Sequence, residues 1–298
     1  MALTVTAKTA ERAPPMRALA SPLATAEWLA AHLDDPAVRV ADVRWYLGGK
    51  RGADEYARGH IPGAVFVDLD RDLAAPKGAG PGRHPLPSAE DFARFLARIG
   101  VEAHTTVVAY DDAGGAIAAR LWWLLRYFGH GGGRVLDGGL ASFVALGRPL
   151  STEAPLIAPA PLLTLRGGGA GVVDKIAVNR LRSEPRALLL DARARERFEG
   201  RSEPVDARPG HIPGARSAPF VESLIAPGGA LLPPPALADR FRALGAFEAA
   251  QVVAYCGSGV TACHTLLTLS LAGRDDALLY EGSWSDWASD ASLPAETG

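Results

Sequence analysis

Short apolar runs alternate with stretches of helical periodicity along the chain. The runs Arg39–Val43, Val65–Val67, Thr106–Tyr110 and Arg134–Leu136 read as strands in the first half, and Ala187–Asp191, Gln251–Tyr255 and Ala277–Tyr280 in the second. Between them, apolar residues return every three or four positions over Thr25–Leu33, Ser88–Ile99, Gly115–Phe128, Pro235–Leu244 and Val260–Ala272, which predicts helices. Strands that alternate with helices in this way predict an α/β fold, a mainly parallel sheet flanked by helices, in each half.

The two halves repeat each other. Gly59-His60-Ile61-Pro62-Gly63-Ala64 returns as Gly210-His211-Ile212-Pro213-Gly214-Ala215, and Val107-Val108-Ala109-Tyr110 as Val252-Val253-Ala254-Tyr255. Val40-Ala41-Asp42-Val43-Arg44 answers Leu189-Leu190-Asp191-Ala192-Arg193, and Val135-Leu136-Asp137-Gly138-Gly139 answers Leu278-Leu279-Tyr280-Glu281-Gly282. Matches in the same order at nearly constant offset mark a domain duplication, with a period too long for a solenoid. The boundaries read as a poorly ordered tail over 1–22, a first domain over 23–149, a Pro/Gly-rich linker over 150–171 and a second domain over 172–298.

Length and charge agree with this division. At roughly 150 residues per domain, 298 residues suit two domains. A net charge of −2 gives no field to attract nucleic acid or anionic lipid. No apolar run approaches the ~20 residues of a membrane span, so a soluble, cytoplasmic protein is expected. The tail lacks the ~7–15-residue apolar core of a secretory signal. Glu11 and the two prolines speak against a transit peptide, and Met16 is an alternative start. Two cysteines, Cys256 and Cys263, are too few for a disulfide framework, which leaves a reactive thiol or two small buried residues.

The halves diverge just after the matched Val-Val-Ala-Tyr strands. The first continues Asp111-Asp112-Ala113-Gly114-Gly115, the second Cys256-Gly257-Ser258-Gly259-Val260-Thr261. Glycines between a strand end and a helix start let successive N–H groups converge into an anion-binding nest, and the helix dipole adds positive potential. Such a cradle suits a thiolate or a persulfide anion on Cys256. Cys263, inside the following helix, reads as core. Thr261, at the helix start, is as well suited to capping as to binding sulfur.

The duplicated pattern, with Cys256 in one half and Asp111 in its place in the other, resembles the two-domain rhodanese family from about residue 23 to Leu293. The segment from Cys256 to Thr261 is similar to the active loop of 3-mercaptopyruvate sulfurtransferases, and Glu281-Gly282-Ser283-Trp284-Ser285-Asp286-Trp287 also matches the family. The resemblance implies tandem rhodanese-like domains, only the second of them catalytic. It also implies sulfur transfer from 3-mercaptopyruvate through a Cys256 persulfide to thioredoxin, glutathione, another thiol or cyanide. Arg197 matches the family arginine that binds the donor carboxylate, a task suited to a planar guanidinium. Arg193 and Arg195 read as solvated. A second family arginine has no clear match in Glu203-Pro204-Val205-Asp206-Ala207-Arg208, where Arg208 is the available substitute. Ser258 is expected to meet the donor carbonyl or relay a proton, and Gly257, Gly259, Val260 and Thr261 to shape the donor site. His60 and His211 hold identical repeat positions, so a shared structural role is the first expectation. The resemblance implies a proton-relay role for His60, with Asp54 to orient it.

The near rival is thiosulfate as donor in the same fold. Gly257 and Ser258 stand where thiosulfate enzymes of this fold tend to carry basic residues, which favours an organic donor. A Cys-dependent phosphatase would end its loop with an arginine six residues after the Cys, where this chain has Ala262. A non-catalytic binding module is the third reading, opposed by the intact second loop. No metal-ligand spacing, Walker loop or dinucleotide fingerprint is present, so no dissociable cofactor is expected. The helical stripe Trp122, Trp123, Tyr127 and Phe128 reads as core and interdomain packing.

Overall fold

The computed structural model describes residues 21–298. The expected tail lies outside the described residues, Ser21 and Pro22 apart, as does Met16. Two five-stranded parallel sheets repeat one topology. Strands β1 (Leu23–Ala24), β2 (Val38–Asp42), β3 (Val65–Phe66), β4 (Thr106–Tyr110) and β5 (Gly133–Leu136) lie in the order β1-β5-β4-β2-β3. Strands β6 (Val172–Val173), β7 (Ala187–Asp191), β8 (Arg216–Ser217), β9 (Gln251–Tyr255) and β10 (Leu278–Tyr280) follow as β6-β10-β9-β7-β8. Among the described residues, no helix is long and apolar enough to cross a membrane.

The apolar runs of β4, β7 and β9 coincide with their predicted ends. The two-residue edge strands β1, β6 and β8 carry too short a run to show a period. Thr25 and Ser88 cap the helices Ala26–Ala31 and Ala89–Arg98 by accepting from the Trp28 and Asp91 amides. The helix expected from Gly115 begins at Ala118, because Gly114 and Gly115 adopt φ of +70° and +86° and hold the loop open. That helix, Ala118–Tyr127, packs on its counterpart Thr261–Leu271, and one apolar core runs through both domains with Trp122 and Trp123 buried in it. Residues 150–171 do not hang free. Ser151 exchanges two backbone bonds with His60, and Ala160 and Gly169 donate to the Ala97 and Tyr127 carbonyls.

The repeated Asp-x-Arg and Gly-His-Ile-Pro-Gly motifs belong to one construction. Asp191, at the end of β7, takes the Arg193 guanidinium through both oxygens at 2.6–3.1 Å, and Arg193 Nη2 donates to the Gly210 carbonyl at 2.6 Å. The Tyr255 hydroxyl accepts from the Ile212 amide at 3.2 Å. In the first domain Asp42, Arg44, Gly59, Tyr110 and Ile61 repeat these bonds. Both aspartates are wholly buried. Arg193 was expected to be solvated, yet it lies in the core, because Asp191 neutralises it and the Trp284 ring packs 4.7 Å from its guanidinium carbon.

Removing one member of such a pair leaves an uncompensated buried charge. Arg193→Met is therefore expected to lower stability by about 3–5 kcal/mol, measured by urea unfolding. A loss below about 1 kcal/mol would show that the Asp191 carboxylate finds other partners.

Candidate active site

Strand β9 delivers Cys256 to the interior. Cys256 is 2% exposed; its Sγ accepts the Gly259 amide at 3.1 Å, and its N–H donates to Ser283 Oγ at 3.1 Å. The segment after β10 braces this loop from beneath: Trp284 and Ser285 amides donate to the Cys256 and Gly257 carbonyls, both at 2.9 Å. Gly259 has φ +79°, and a Cβ there would stand 2.5 Å from the Glu281 carbonyl oxygen, so a side chain is excluded. Thr261 opens the helix half-buried without a capping bond, the N-cap being Val260.

The first domain shows what the same loop does without a cysteine. Asp111 Oδ1 accepts the Ala113 and Gly115 amides and Oδ2 those of Ile117 and Ala118, at 2.8–2.9 Å. An internal carboxylate fills that anion cradle.

Cys256, Gly257, Ser258, Val260 and Thr261 line one side of a cavity of about 550 Å³ between the domains, opposite Trp45, Tyr46, Leu47, Arg83 and His84. Ser258 Oγ lies 2.7 Å from His84 Nδ1, and His84 Nε2 lies 2.9 Å from Asp70 Oδ1. Trp45 Nε1 donates to the other Asp70 oxygen at 2.9 Å and its ring meets His84 edge-on. Burial holds His84 below the ordinary imidazole range; the Asp70 carboxylate opposes this, and Arg120 and Arg83 reinforce it. A neutral ring that donates from Nε2 to Asp70 presents Nδ1 as an acceptor for the Ser258 hydroxyl.

Two guanidiniums converge over Gly257. A Cβ on that glycine would stand 2.9 Å from Arg83 Nη2 and 3.6 Å from Arg197 Nη1. Arg197 is held by Glu203 at 2.7 Å and Asp206 at 3.1 Å, and Asp206 also pairs with Arg83 across the domain boundary. Burial works against ionised Glu203, but the Arg197 hydrogen bond and two backbone amides keep its carboxyl below the ordinary range.

The structure thus brings Cys256, Gly257, Ser258, Val260, Thr261 and Arg197 to one cavity, with Gly259 beneath the sulfur. His60 is elsewhere. It is buried, stacked on Tyr56, with Nδ1 on the Tyr56 carbonyl and Nε2 on that of Glu153, and exposed Asp54 makes no bond to it. The ring ties down a turn, as His211 does on the Phe198 carbonyl. Arg208 is also elsewhere, spending its donors on the carbonyls of Trp287, Ala288, Asp290 and Leu293. Arg195 is exposed and pairs with Glu222. Sequence reasoning missed Asp70, Arg83 and His84. The one available signal was asymmetry: Arg83-His84 has no counterpart in the second repeat.

Known proteins carry the same pattern. The rhodanese-like domain family matches residues 25–146 and 175–290. A probable 3-mercaptopyruvate sulfurtransferase of Pseudomonas aeruginosa is 45% identical over 280 residues, covering 93% of this chain and 98% of that one. A putative thiosulfate sulfurtransferase of Mycobacterium tuberculosis is 38% identical, covering 95% of this chain and 99% of its own. The crystal structure of a 3-mercaptopyruvate sulfotransferase from Escherichia coli superposes with a TM-score of 0.75 at 32% identity, covering 89% of this chain and all of that one.

The His84 environment has a measurable consequence. With its folded value lowered, unfolding takes up a proton near pH ~6.5, so this group stabilises the fold above that pH and the contribution is lost as pH falls through the lower folded value. NMR titration of the His84 ring is expected to show a midpoint below ~6.5, moved further down by Asp70→Asn. A midpoint at or above the ordinary value would contradict the neutral ring.

Proposed function

The chain belongs to the rhodanese family, and we propose that it moves sulfane sulfur from 3-mercaptopyruvate, through a persulfide on Cys256, to a thiol or to cyanide. The Cys256 thiolate attacks the donor sulfur, the carbon–sulfur bond breaks, and its electron pair leaves on the pyruvate enolate. The proton of the donor thiol passes through Ser258 to His84 and returns to the enolate, so pyruvate departs neutral at carbon. The outer sulfur stays on Cys256 as a persulfide anion facing the Gly259 amide. An acceptor thiolate, on thioredoxin or glutathione, or cyanide, then attacks that sulfur and restores the Cys256 thiolate.

The Ser258–His84–Asp70 chain carries this reading. An enolate leaving group needs a proton, whereas sulfite, which leaves from thiosulfate, is a stable anion that needs none. The charge at the mouth agrees: Arg83 and Arg197 are balanced by Glu203 and Asp206, which suits one carboxylate better than a compact dianion. Arg197 and Arg83 would bind that carboxylate beside Gly257, and Val260 and Thr261 would border the donor. Two free cysteines accord with the reducing cytoplasm, where such a thiol persists.

Initial rates with 3-mercaptopyruvate and thiosulfate, for wild type and Cys256→Ser, test the donor and the nucleophile. A preference for 3-mercaptopyruvate, abolished by Cys256→Ser, is expected, with KM raised about 10- to 100-fold by Arg197→Met. Preference for thiosulfate would overturn the donor assignment, and no turnover with either would favour a binding role. Ser258→Ala separates the two chemistries further. It should lower kcat with 3-mercaptopyruvate by about 10²-fold or more and leave thiosulfate turnover nearly unchanged. Equal losses with both donors would remove the relay.

A further inference from the structure

Among the described residues three arginines are buried in like manner, and only two of them are paired with a carboxylate. Arg44 and Arg193 each face an aspartate bidentately. Arg120, on the helix Ala118–Tyr127 of the first domain, is wholly buried, and among the described residues no carboxylate oxygen lies within 4.0 Å of it. Its donors go to backbone carbonyls: Nη2 to His84 at 3.0 Å, Nη1 to Gly259 at 3.3 Å and Nε to Leu73 at 3.4 Å. A guanidinium stays charged at any pH the fold survives, and a buried charge without an anion is unfavourable.

Two of those carbonyls belong to the reaction machinery. Gly259 is gripped from both ends, its carbonyl by Arg120 and its N–H by Cys256 Sγ at 3.1 Å. His84 is the ring that meets Ser258. The other groups near the guanidinium form no ion pair with it. Cys263, which shares the Gly259 carbonyl, has its thiol pushed up to about 12 by burial in spite of Arg120. Glu281 feels Arg120 through space, but it forms no ion pair with the guanidinium, and its Oε2 accepts the Leu86 amide at 3.3 Å.

We propose that Arg120 is a positioning residue of the sulfur site: it locks the Gly259 and His84 backbones together across the domain boundary, and its unpaired charge is answered by the sulfur anion that forms on Cys256. This rests on Cys256 being the nucleophile. The first domain, with Asp111 where the second has Cys256, thereby supplies a buried cation to the domain that holds the cysteine. The guanidinium fork matters because two carbonyls from different domains must be bridged at once, and the charge matters because no carboxylate pairs directly with the guanidinium.

The test uses the full chain with Arg120→Met and Arg120→Lys. Iodoacetamide modification of Cys256 at pH 7, resolved from Cys263 by peptide mass spectrometry, reads sulfur-anion reactivity without any sulfur donor. Arg120→Met should lower that rate and kcat about tenfold or more, with KM within about twofold, and Arg120→Lys should fall between Met and wild type because the charge remains without the fork. A folded Met variant that reacts at the wild-type rate, or a Lys variant no better than Met, would overturn the proposal. Should the Met variant fail to fold, the Lys variant decides: a wild-type rate there overturns the bridging role, and a reduced rate with unchanged KM supports it. Failure of wild-type Cys256 to react while folded would sink the nucleophile reading itself, a distinct result.

Discussion

The buried pair of Asp191 and Arg193 anchors the working end of the molecule. It fixes the end of β7 against the Gly-His-Ile-Pro-Gly turn, and it begins a chain of alternating charges that leads outward. Arg193 also holds Glu203 at 3.2 Å, Glu203 holds Arg197, Asp206 bridges Arg197 to Arg83, and Arg83 belongs to the other domain. Each residue in this chain is oriented by the one behind it. A flexible arginine at a solvent-filled mouth would lose much side-chain entropy on binding a carboxylate. Arg197 has already lost it on folding, because Glu203 and Asp206 hold its fork beside Gly257.

Duplication supplied two copies of one loop, and their divergence divided the labour. In the first, the Asp111 side chain fills the nest and accepts four backbone amides. In the second, Cys256 is an anion only when ionised, and its cradle is held by the Ser283 hydroxyl and by the Trp284 and Ser285 amides. Among the described residues Ser283 is the one non-glycine with positive φ, at 52°, a strained backbone that aims its hydroxyl at the Cys256 amide. The degenerate loop still serves: Ala113, Ala116 and Ile117 form an apolar wall of the cavity that Cys256 faces.

How far the sequence discloses this depends on the kind of interaction. Local patterns were legible: β4, β7 and β9 as apolar runs, and the Cys256 loop as glycines at a strand–helix junction. The repeat suggested a shared structural role for His60 and His211, and both rings bond to backbone carbonyls; the proton-relay role that the resemblance implied for His60 has no geometric counterpart, since its ring does not line the cavity. What stayed hidden acts over long separations in the chain. His84 meets Ser258 174 positions away and Arg83 meets Asp206 123 positions away, and no local period encodes either. Arg193 misleads for a related reason: a run of arginines reads as surface until the neighbouring Asp191 is seen to be buried with it. Arg208 misleads by spacing alone, since it lies near Arg197 in sequence but points at the C-terminal segment.

The placement of the site between domains constrains how it can work. Arg83 with Asp206, Arg120 with Gly259, Arg126 with Asp275 and His264 with the Gly114 carbonyl all cross the boundary. His264 is wholly buried, and burial pushes its ring down to about 4, so it stays neutral and the Gly114 bond is undisturbed at ordinary pH. Opening the domains would break these bonds together and expose the shared core that contains Trp122 and Trp123. It would also separate His84 from Ser258. The cavity beside Cys256 is therefore to be reached through its mouth rather than by domain opening.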